Sequence, residues 1–249
     1  MKNTLSASWK LTRVALHMAH GLLTITFVFP KLEPVQKTQR IQAWAQVLLE
    51  RLAINLVVNG KTPRQGPMLL AANHISWLDV YVILATCPCR FVAKSEVRQW
   101  PLVGRLAAAT GTLFISRQSP RDAVRVVHQM TEHLQTGDTL AIFPEGTTSN
   151  GLQLLPFHAN LFQAAISANV PVQPVAMHFS DEATGQPSLA PIYIDQDTLL
   201  GSIWRTLKAP PLRATLSFGA TQLPLGRDRR ALATDMRAAV DGLRRVGHC

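Results

Sequence analysis

Two hydrophobic patterns alternate along this chain beyond residue 53. Short apolar runs bounded by glycine, proline or polar residues predict strands. The predicted strands cover residues 54–58, 68–72, 90–93, 113–115, 139–143, 172–179 and 214–218. Apolar residues spaced three or four positions apart predict helices. The predicted helices cover residues 77–85, 121–134, 160–168 and 229–245. Strands that alternate with helices predict an α/β fold, in which a mixed sheet is flanked by helices.

The N-terminal part of the chain has an apolar, helical pattern of its own. Residues 14–29 form an uncharged stretch of 16 residues between Arg13 and Lys31. A helix that spans a bilayer needs about 20 residues. A helix lying in one leaflet, with its basic flanks at the headgroups, fits this length and charge best. A single span, a cleaved signal peptide and a buried core helix remain open alternatives.

A second helical pattern follows over residues 40–52, after Pro34. It places Trp44 on the apolar face, where a tryptophan serves either as an interfacial anchor or as a core residue. Two helices joined by a proline-containing turn predict a hairpin. We therefore expect a membrane-docking helical hairpin over residues 1–52 and an α/β domain over residues 53–249.

The charge of the chain indicates an anionic partner. The 249 residues include 25 Lys and Arg against 15 Asp and Glu, a formal charge of +10. The excess lies in residues 1–52, with seven basic against two acidic residues, and in residues 205–245, with nine against three. An acidic membrane surface or a phosphorylated ligand fits this balance. Nucleic acid is not expected, because no nucleic-acid motif occurs and aromatics are only 6% of residues.

The cysteines predict neither a disulfide framework nor a metal site. The chain has three cysteines, too few for a network of disulfides. Cys87 and Cys89 are separated by one proline and lack both the spacing and the partners of a structural zinc site.

A histidine and an aspartate follow the predicted strand over residues 68–72. His74 comes at the end of this strand, and Asp79 lies five residues later. A carboxylate that accepts a hydrogen bond from one ring nitrogen makes the other nitrogen a better base. Such a base can take a proton from a hydroxyl group. The alternative is structural, since Ser76 and Asp79 have the spacing of a helix capping box.

Three further segments place functional side chains near strand ends, where open α/β sheets bind their ligands. Residues 111–117 read Gly-Thr-Leu-Phe-Ile-Ser-Arg and end in Arg117, whose planar guanidinium suits phosphate or a surface ion pair. Residues 143–149 read Phe-Pro-Glu-Gly-Thr-Thr-Ser. Residues 170–175 read Val-Pro-Val-Gln-Pro-Val.

These four segments, in this order, resemble the four motif blocks of the glycerolipid acyltransferases, the 1-acylglycerol-3-phosphate acyltransferase group. Residues 73–79 match its N-H-x-x-x-x-D block. The other three match G-x-x-F-I-x-R, F-P-E-G-T-x-S and V-P-V-x-P-V. Each block alone is weakly specific, whereas four in order are strongly specific.

The resemblance implies a membrane-associated enzyme that moves a fatty acyl group from a thioester, on acyl carrier protein or coenzyme A, to the free hydroxyl of a lysolipid. His74 would be the general base and Asp79 would orient it. Arg117 and the turn of Glu145, Gly146 and Thr147 would hold the polar head of the acceptor. No metal or redox cofactor is implied. The family is typical of the cytoplasmic face of bacterial inner membranes.

The sequence departs from the family in its third block, which often ends in Thr-Arg-Ser. Thr148 takes the place of that arginine, and His158 stands where relatives often carry a lysine or arginine. Lys94 and Arg117 remain as cations for phosphate. We therefore expect 1-acylglycerol-3-phosphate as the acceptor, with lyso-ornithine lipid as the alternative. A non-catalytic peripheral membrane-binding protein is the alternative of another class. It fits less well, because His74, Asp79, Arg117 and Glu145 are all intact.

Overall fold

The computed structural model describes residues 2–63, 66–116, 119–194 and 197–246. Its helices are α1 (Lys2–Leu23), α2 (Pro34–Arg51), α3 (Asp79–Thr86), α4 (Val103–Ala109), α5 (Pro120–Gln135), α6 (Gln163–Ala168), α7 (Leu199–Lys208) and α8 (Arg229–Val246). Its strands are β1 (Ile54–Asn59), β2 (Met68–Ala72), β3 (Arg90–Lys94), β4 (Leu113–Ile115), β5 (Thr139–Ile142), β6 (Val172–Asp181) and β7 (Leu212–Phe218).

The seven strands form one mixed sheet in the order β1-β7-β6-β2-β5-β3-β4. The neighbouring strands β2, β5, β3 and β4 are parallel, and β6 is parallel to β2. Strand β7 runs antiparallel to β6 and parallel to β1. The predicted mixed sheet flanked by helices is confirmed. The strands most deeply buried, β2 and β5, are short and almost wholly apolar, as expected for strands covered on both faces.

Helices cover both faces of the sheet. On one face, apolar residues of α2, α3 and α7 pack on the sheet, and Leu48, Leu49 and Ile83 of α2 and α3 are nearly inaccessible. On the other face, α5, α6 and α8 pack on the sheet through residues such as Met130 and Met236. With both faces covered, the edges of the sheet are left for a ligand site.

The N-terminal helices form the predicted hairpin, with α1 much longer than the uncharged stretch alone. Helix α1 continues through a π-helical turn and a short 3-10 turn as far as Lys31. The ring of His17 stacks on Trp44 of α2 with centroids 4.7 Å apart, and His17 Nε2 lies 2.9 Å from the Trp44 carbonyl oxygen. Trp44 also lies against Tyr81 of α3. Trp44 is therefore a packing residue between helices, as the core alternative predicted.

Helix α1 presents a row of large apolar side chains to solvent. Its large apolar residues that are more than half exposed are Leu5, Trp9, Leu16 and Leu23, and Phe27 of the following π-helical turn is exposed as well. By length and composition the helix over Thr4–Lys31 could cross a membrane, and 11% of its most apolar window is buried. In contrast, α2 is part of the main core. The domain boundary after residue 52 stays a prediction.

Several basic residues of the C-terminal region are paired within the chain. Ion pairs join Arg205 to Asp197, Arg213 to Glu182, Arg227 to Asp235 and Arg245 to Asp241. The positive charge that the sequence shows in this region is therefore partly neutralised by nearby carboxylates.

Candidate active site

The site lies where the parallel strands β2 and β5 end side by side. Leu70 and Ala71 of β2 pair with Ala141 and Ile142 of β5. The two loops that follow these strands, residues 73–78 and 143–149, therefore leave the sheet at the same edge. This edge is the expected ligand site of an open α/β sheet.

His74 and Asp79 form a close pair at this edge. His74 Nδ1 lies 2.7 Å from Asp79 Oδ2, and the same oxygen accepts hydrogen bonds from the backbone N–H groups of Ile75 at 2.7 Å and Ser76 at 2.9 Å. Asp79 is fully buried, whereas the His74 side chain is 21% exposed. The carboxylate therefore holds Nδ1, and Nε2 is the ring nitrogen on the side away from Asp79.

The capping-box interpretation of Asp79 is confirmed in part, since Asp79 Oδ2 accepts from the Ser76 N–H as such a box requires. Helix α3 has no side-chain hydrogen bond at its N-cap, Leu78. The Ser76 hydroxyl accepts from the Leu78 N–H at 3.2 Å, rather than from the Asp79 N–H, and donates to the carbonyl of Pro191 at 2.6 Å. Asp79 folds back onto the loop that precedes it, because that loop carries the N–H donors and the imidazole.

The imidazole of His74 lies flat on the ring of Phe143. The two centroids are 3.9 Å apart with an interplanar angle of 10°, and Phe143 stacks in turn near Phe91 at 5.7 Å. Since Asp79 fixes one edge of the imidazole and Phe143 covers one face, only a narrow range of ring orientations is available to His74.

Glu145 joins the two loops. Its Oε1 accepts from the His74 N–H at 2.7 Å, and its Oε2 accepts from the Leu155 N–H at 2.9 Å. Burial raises the pKa of the Glu145 carboxyl, and the two backbone hydrogen bonds and the charges of His74 and Arg244 act in the opposite direction. Both carboxylate oxygens are thus occupied by backbone donors of the protein itself.

The remaining predicted site residues lie around this centre. Gly146 adopts φ +72°, which favours glycine, and its N–H closes the turn on the Phe143 carbonyl at 3.0 Å. Thr147, the next residue of this turn, is exposed to solvent. Arg117 lies outside the described residues. The predicted roles of Arg117, Glu145, Gly146 and Thr147 in holding an acceptor stay predictions.

Two residues inside the motif segments support the site in ways that we did not predict. The Asn73 side chain exchanges hydrogen bonds of 2.9 and 2.7 Å with the backbone of Met177 and so ties the end of β2 to β6. The backbone N–H of Ser149 donates to the His74 carbonyl at 2.8 Å. The only signal in the sequence was their place in the segments beside His74 and Glu145.

The described part of the chain holds no group of three or more His, Cys, Asp or Glu side chains that could bind a metal ion. The arrangement that it does hold, a histidine backed by a buried carboxylate, is suited to moving a proton.

The chain matches the family model named Acyltransferase over residues 54–178. The 1-acyl-sn-glycerol-3-phosphate acyltransferase of Neisseria gonorrhoeae is 38% identical over 186 residues, which cover 74% of this chain and 72% of that protein. The lyso-ornithine lipid O-acyltransferase of Pseudomonas aeruginosa is 40% identical over 197 residues, which cover 79% and 75%.

A solved structure shares the fold. The 1-acyl-sn-glycerophosphate acyltransferase of Thermotoga maritima superposes with a TM-score of 0.70 at 20% identity, covering 98% of this chain and 96% of that one. The family expected from the motif segments is confirmed. The matched region contains the sheet edge with His74 and Asp79, and the chain belongs to the acyltransferase family.

Proposed function

We propose that this acyltransferase moves a fatty acyl group from a thioester donor to the free hydroxyl of a lysolipid, with His74 as general base and Asp79 as its orienting partner. The observation that carries the catalytic roles is the 2.7 Å contact between His74 Nδ1 and the fully buried Asp79 carboxylate. Relatives that act on two kinds of lysolipid support the substrate class.

The proposed reaction needs no acyl-enzyme. His74 Nε2 takes the proton of the acceptor hydroxyl as the oxygen attacks the thioester carbonyl carbon. Asp79 stabilises the imidazolium that forms. The attack forms the new C–O bond and gives a tetrahedral intermediate. When this intermediate collapses, the C=O bond re-forms, the C–S bond breaks and the leaving thiolate takes the proton from His74. Cys87, the alternative kind of nucleophile, is buried at the end of α3.

The acceptor that we favour is 1-acylglycerol-3-phosphate, which would give phosphatidate. Lys94 at the end of β3 is exposed at the same sheet edge, where it could meet a phosphate. The second candidate, lyso-ornithine lipid, has specific support. Thr148 replaces the arginine often found in the family, and a lyso-ornithine lipid acyltransferase is 40% identical. The donor in both cases is acyl carrier protein or acyl-coenzyme A, and no further cofactor is proposed.

The test offers both lysolipids side by side, with the same thioester donor, to the purified protein in detergent. Turnover of lysophosphatidate supports the favoured acceptor, and preference for lyso-ornithine lipid supports the second. The His74→Ala variant should retain its fold and lose turnover. A matched control is His133→Ala. His133 Nδ1 lies 2.8 Å from Asp138 Oδ2, and this pair lies away from the site. Failure of the wild-type protein with both acceptors and both donors would favour a non-catalytic membrane-binding protein.

We further propose that the exposed face of α1 docks the enzyme on the cytoplasmic face of a bacterial inner membrane. Leu16 and Leu23 are 64% and 58% exposed on this helix. Replacing both with serine should weaken sedimentation with vesicles that contain phosphatidylglycerol. The matched control is Val124→Ser, since Val124 is 72% exposed on α5. Equal binding of all three proteins would contradict docking through α1.

A further inference from the structure

Two arginines of the C-terminal helix reach the loop that leads out of the active site. Arg237, Val240 and Arg244 lie on one face of α8, because their spacings of three and four residues correspond to about one turn each. Val240 is fully buried and packs in a cluster with Leu154. The Arg244 side chain is 8% exposed although it is charged.

The guanidinium groups donate to carbonyls of the loop over residues 149–155. Arg244 Nη2 donates to the carbonyl of Gly151 at 2.7 Å and to that of Leu152 at 3.2 Å. Arg237 Nε donates to the Leu155 carbonyl at 3.1 Å, and its Nη2 donates to the Leu154 carbonyl. Four backbone acceptors of one short loop are therefore held by one face of α8.

Both ends of this loop hold the backbone of His74. At one end the Ser149 N–H donates to the His74 carbonyl. At the other end the Leu155 N–H donates to Glu145, whose second oxygen accepts from the His74 N–H. Arg244 is thus linked to the proposed base through its hydrogen bonds to the loop, the covalent backbone of the loop, and the hydrogen bonds at Glu145 and Ser149. The charge of Arg244 also favours the ionised form of Glu145 that accepts these bonds.

We infer that Arg244, assisted by Arg237, is a positioning residue that holds the His74 backbone through the loop over residues 149–155. The inference rests on the proposed role of His74 as the base. An arginine is rarely buried unless its charge is compensated, so packing alone does not explain its use here. The planar guanidinium can donate to two neighbouring carbonyls at once, which a lysine ammonium does with less geometric control.

The substitution Arg244→Met tests the inference, since methionine keeps the apolar stem and removes the donors. Displacing a catalytic group by about 1 Å can cost on the order of 10²-fold in rate. We expect kcat to fall about 10- to 100-fold, with smaller changes in KM for donor and acceptor. Arg244→Lys should recover part of the loss. Arg237→Met, at a more exposed position, should give a smaller fall in kcat. It provides the test if Arg244→Met does not fold.

The matched control is Arg245→Met. Arg244 Nη1 lies 3.8 Å from Asp241 Oδ1. Arg245 is the next residue, pairs with the same carboxylate at 2.7 Å and has a side chain that is 79% exposed. This variant should keep the wild-type kcat. Unchanged kcat in a folded Arg244→Met protein, or an equal loss in Arg245→Met, would overturn the inference. A lower melting temperature with unchanged kcat would likewise assign Arg244 to stability alone.

Amide hydrogen exchange separates this inference from the proposed function. Exchange of the His74 and Leu155 amides should be faster in Arg244→Met than in the wild-type protein and unchanged in Arg245→Met. Protection that is equal in all three proteins would overturn the inference. If the wild-type protein acylates no lysolipid, the proposed function fails, whereas the exchange measurement still decides whether Arg244 holds the His74 backbone.

Discussion

The substitution Asp79→Asn isolates the charge of Asp79 from its shape. A carboxylate oxygen of Asp79 lies 2.7 Å from His74 Nδ1. In the proposed reaction it faces a neutral imidazole at the start and an imidazolium in the transition state. Two unit charges about 4 Å apart interact by about 4 kcal/mol at an effective dielectric constant of about 20. Since each 1.36 kcal/mol is tenfold in rate, we expect kcat to fall on the order of 10³-fold. The KM values should change little, because the lost interaction arises only in the transition state.

The assay follows release of the free thiol from the thioester donor at saturating lysolipid, with the melting temperature as the measure of folding. The matched control is Asp138→Asn. Asp138 accepts from His133 Nδ1 at 2.8 Å with the same separation of five residues, but it precedes β5 at the opposite edge of the sheet. This control should retain its kcat. A folded Asp79→Asn protein with a kcat within tenfold of wild type would refute the role of the carboxylate charge.

Three further substitutions have expected outcomes. Glu145→Gln turns an amide N–H₂ toward the backbone N–H of either His74 or Leu155, so that one hydrogen bond is lost. Urea denaturation should therefore show a free energy of unfolding lower by about 1–3 kcal/mol. Because burial raises the pKa of Glu145 above 4.5, its proton stabilises the folded chain at low pH and this contribution is lost as the pH rises through the raised pKa. The melting temperature of Glu145→Gln should therefore lack the part of its pH dependence that comes from the Glu145 carboxyl. Gly21→Ala places a Cβ 2.7 Å from Trp44 Nε1, and thermal unfolding should show about 1–3 kcal/mol of destabilisation from overpacking. Thr148→Arg should raise the ratio of lysophosphatidate to lyso-ornithine lipid turnover by about 10- to 100-fold, if the new hydrogen bond to phosphate contributes about 1.5–3 kcal/mol.

Sequence patterns predict the sheet better than the shorter helices. Strand β2 begins and ends where its apolar run predicts, because a polar loop residue follows it at once. Helix α4 and helix α7 were not predicted. Helix α4 has only seven residues, and α7 contains Gly201, which disfavours helix on its own. Helix α2 begins at Pro34 rather than at residue 40, because Glu33 and Gln36 form a capping box around its first turn.

The pairing of His74 with Asp79 could be predicted because one short loop at the end of a buried strand contains His74 and leads directly to Asp79, the first residue of α3. The use of Glu145 could not. A carboxylate beside a turn suggests a substrate contact, whereas its partners are the N–H groups of His74 and Leu155. Every residue except proline carries such a donor, so no side-chain pattern distinguishes the donors that a fold brings to a carboxylate.

The number of basic residues in α8 overstates the positive charge that this helix offers to a partner. Nine basic residues in the C-terminal region suggested an anionic partner, yet Arg244 is buried and donates to two loop carbonyls. A charge that is buried among backbone acceptors contributes little to steering a ligand in solution, since its field is compensated locally. The basic residues of α1 and α2 are therefore better candidates for attraction to an anionic lipid surface, whereas Arg244 is better explained by the loop that it holds against His74.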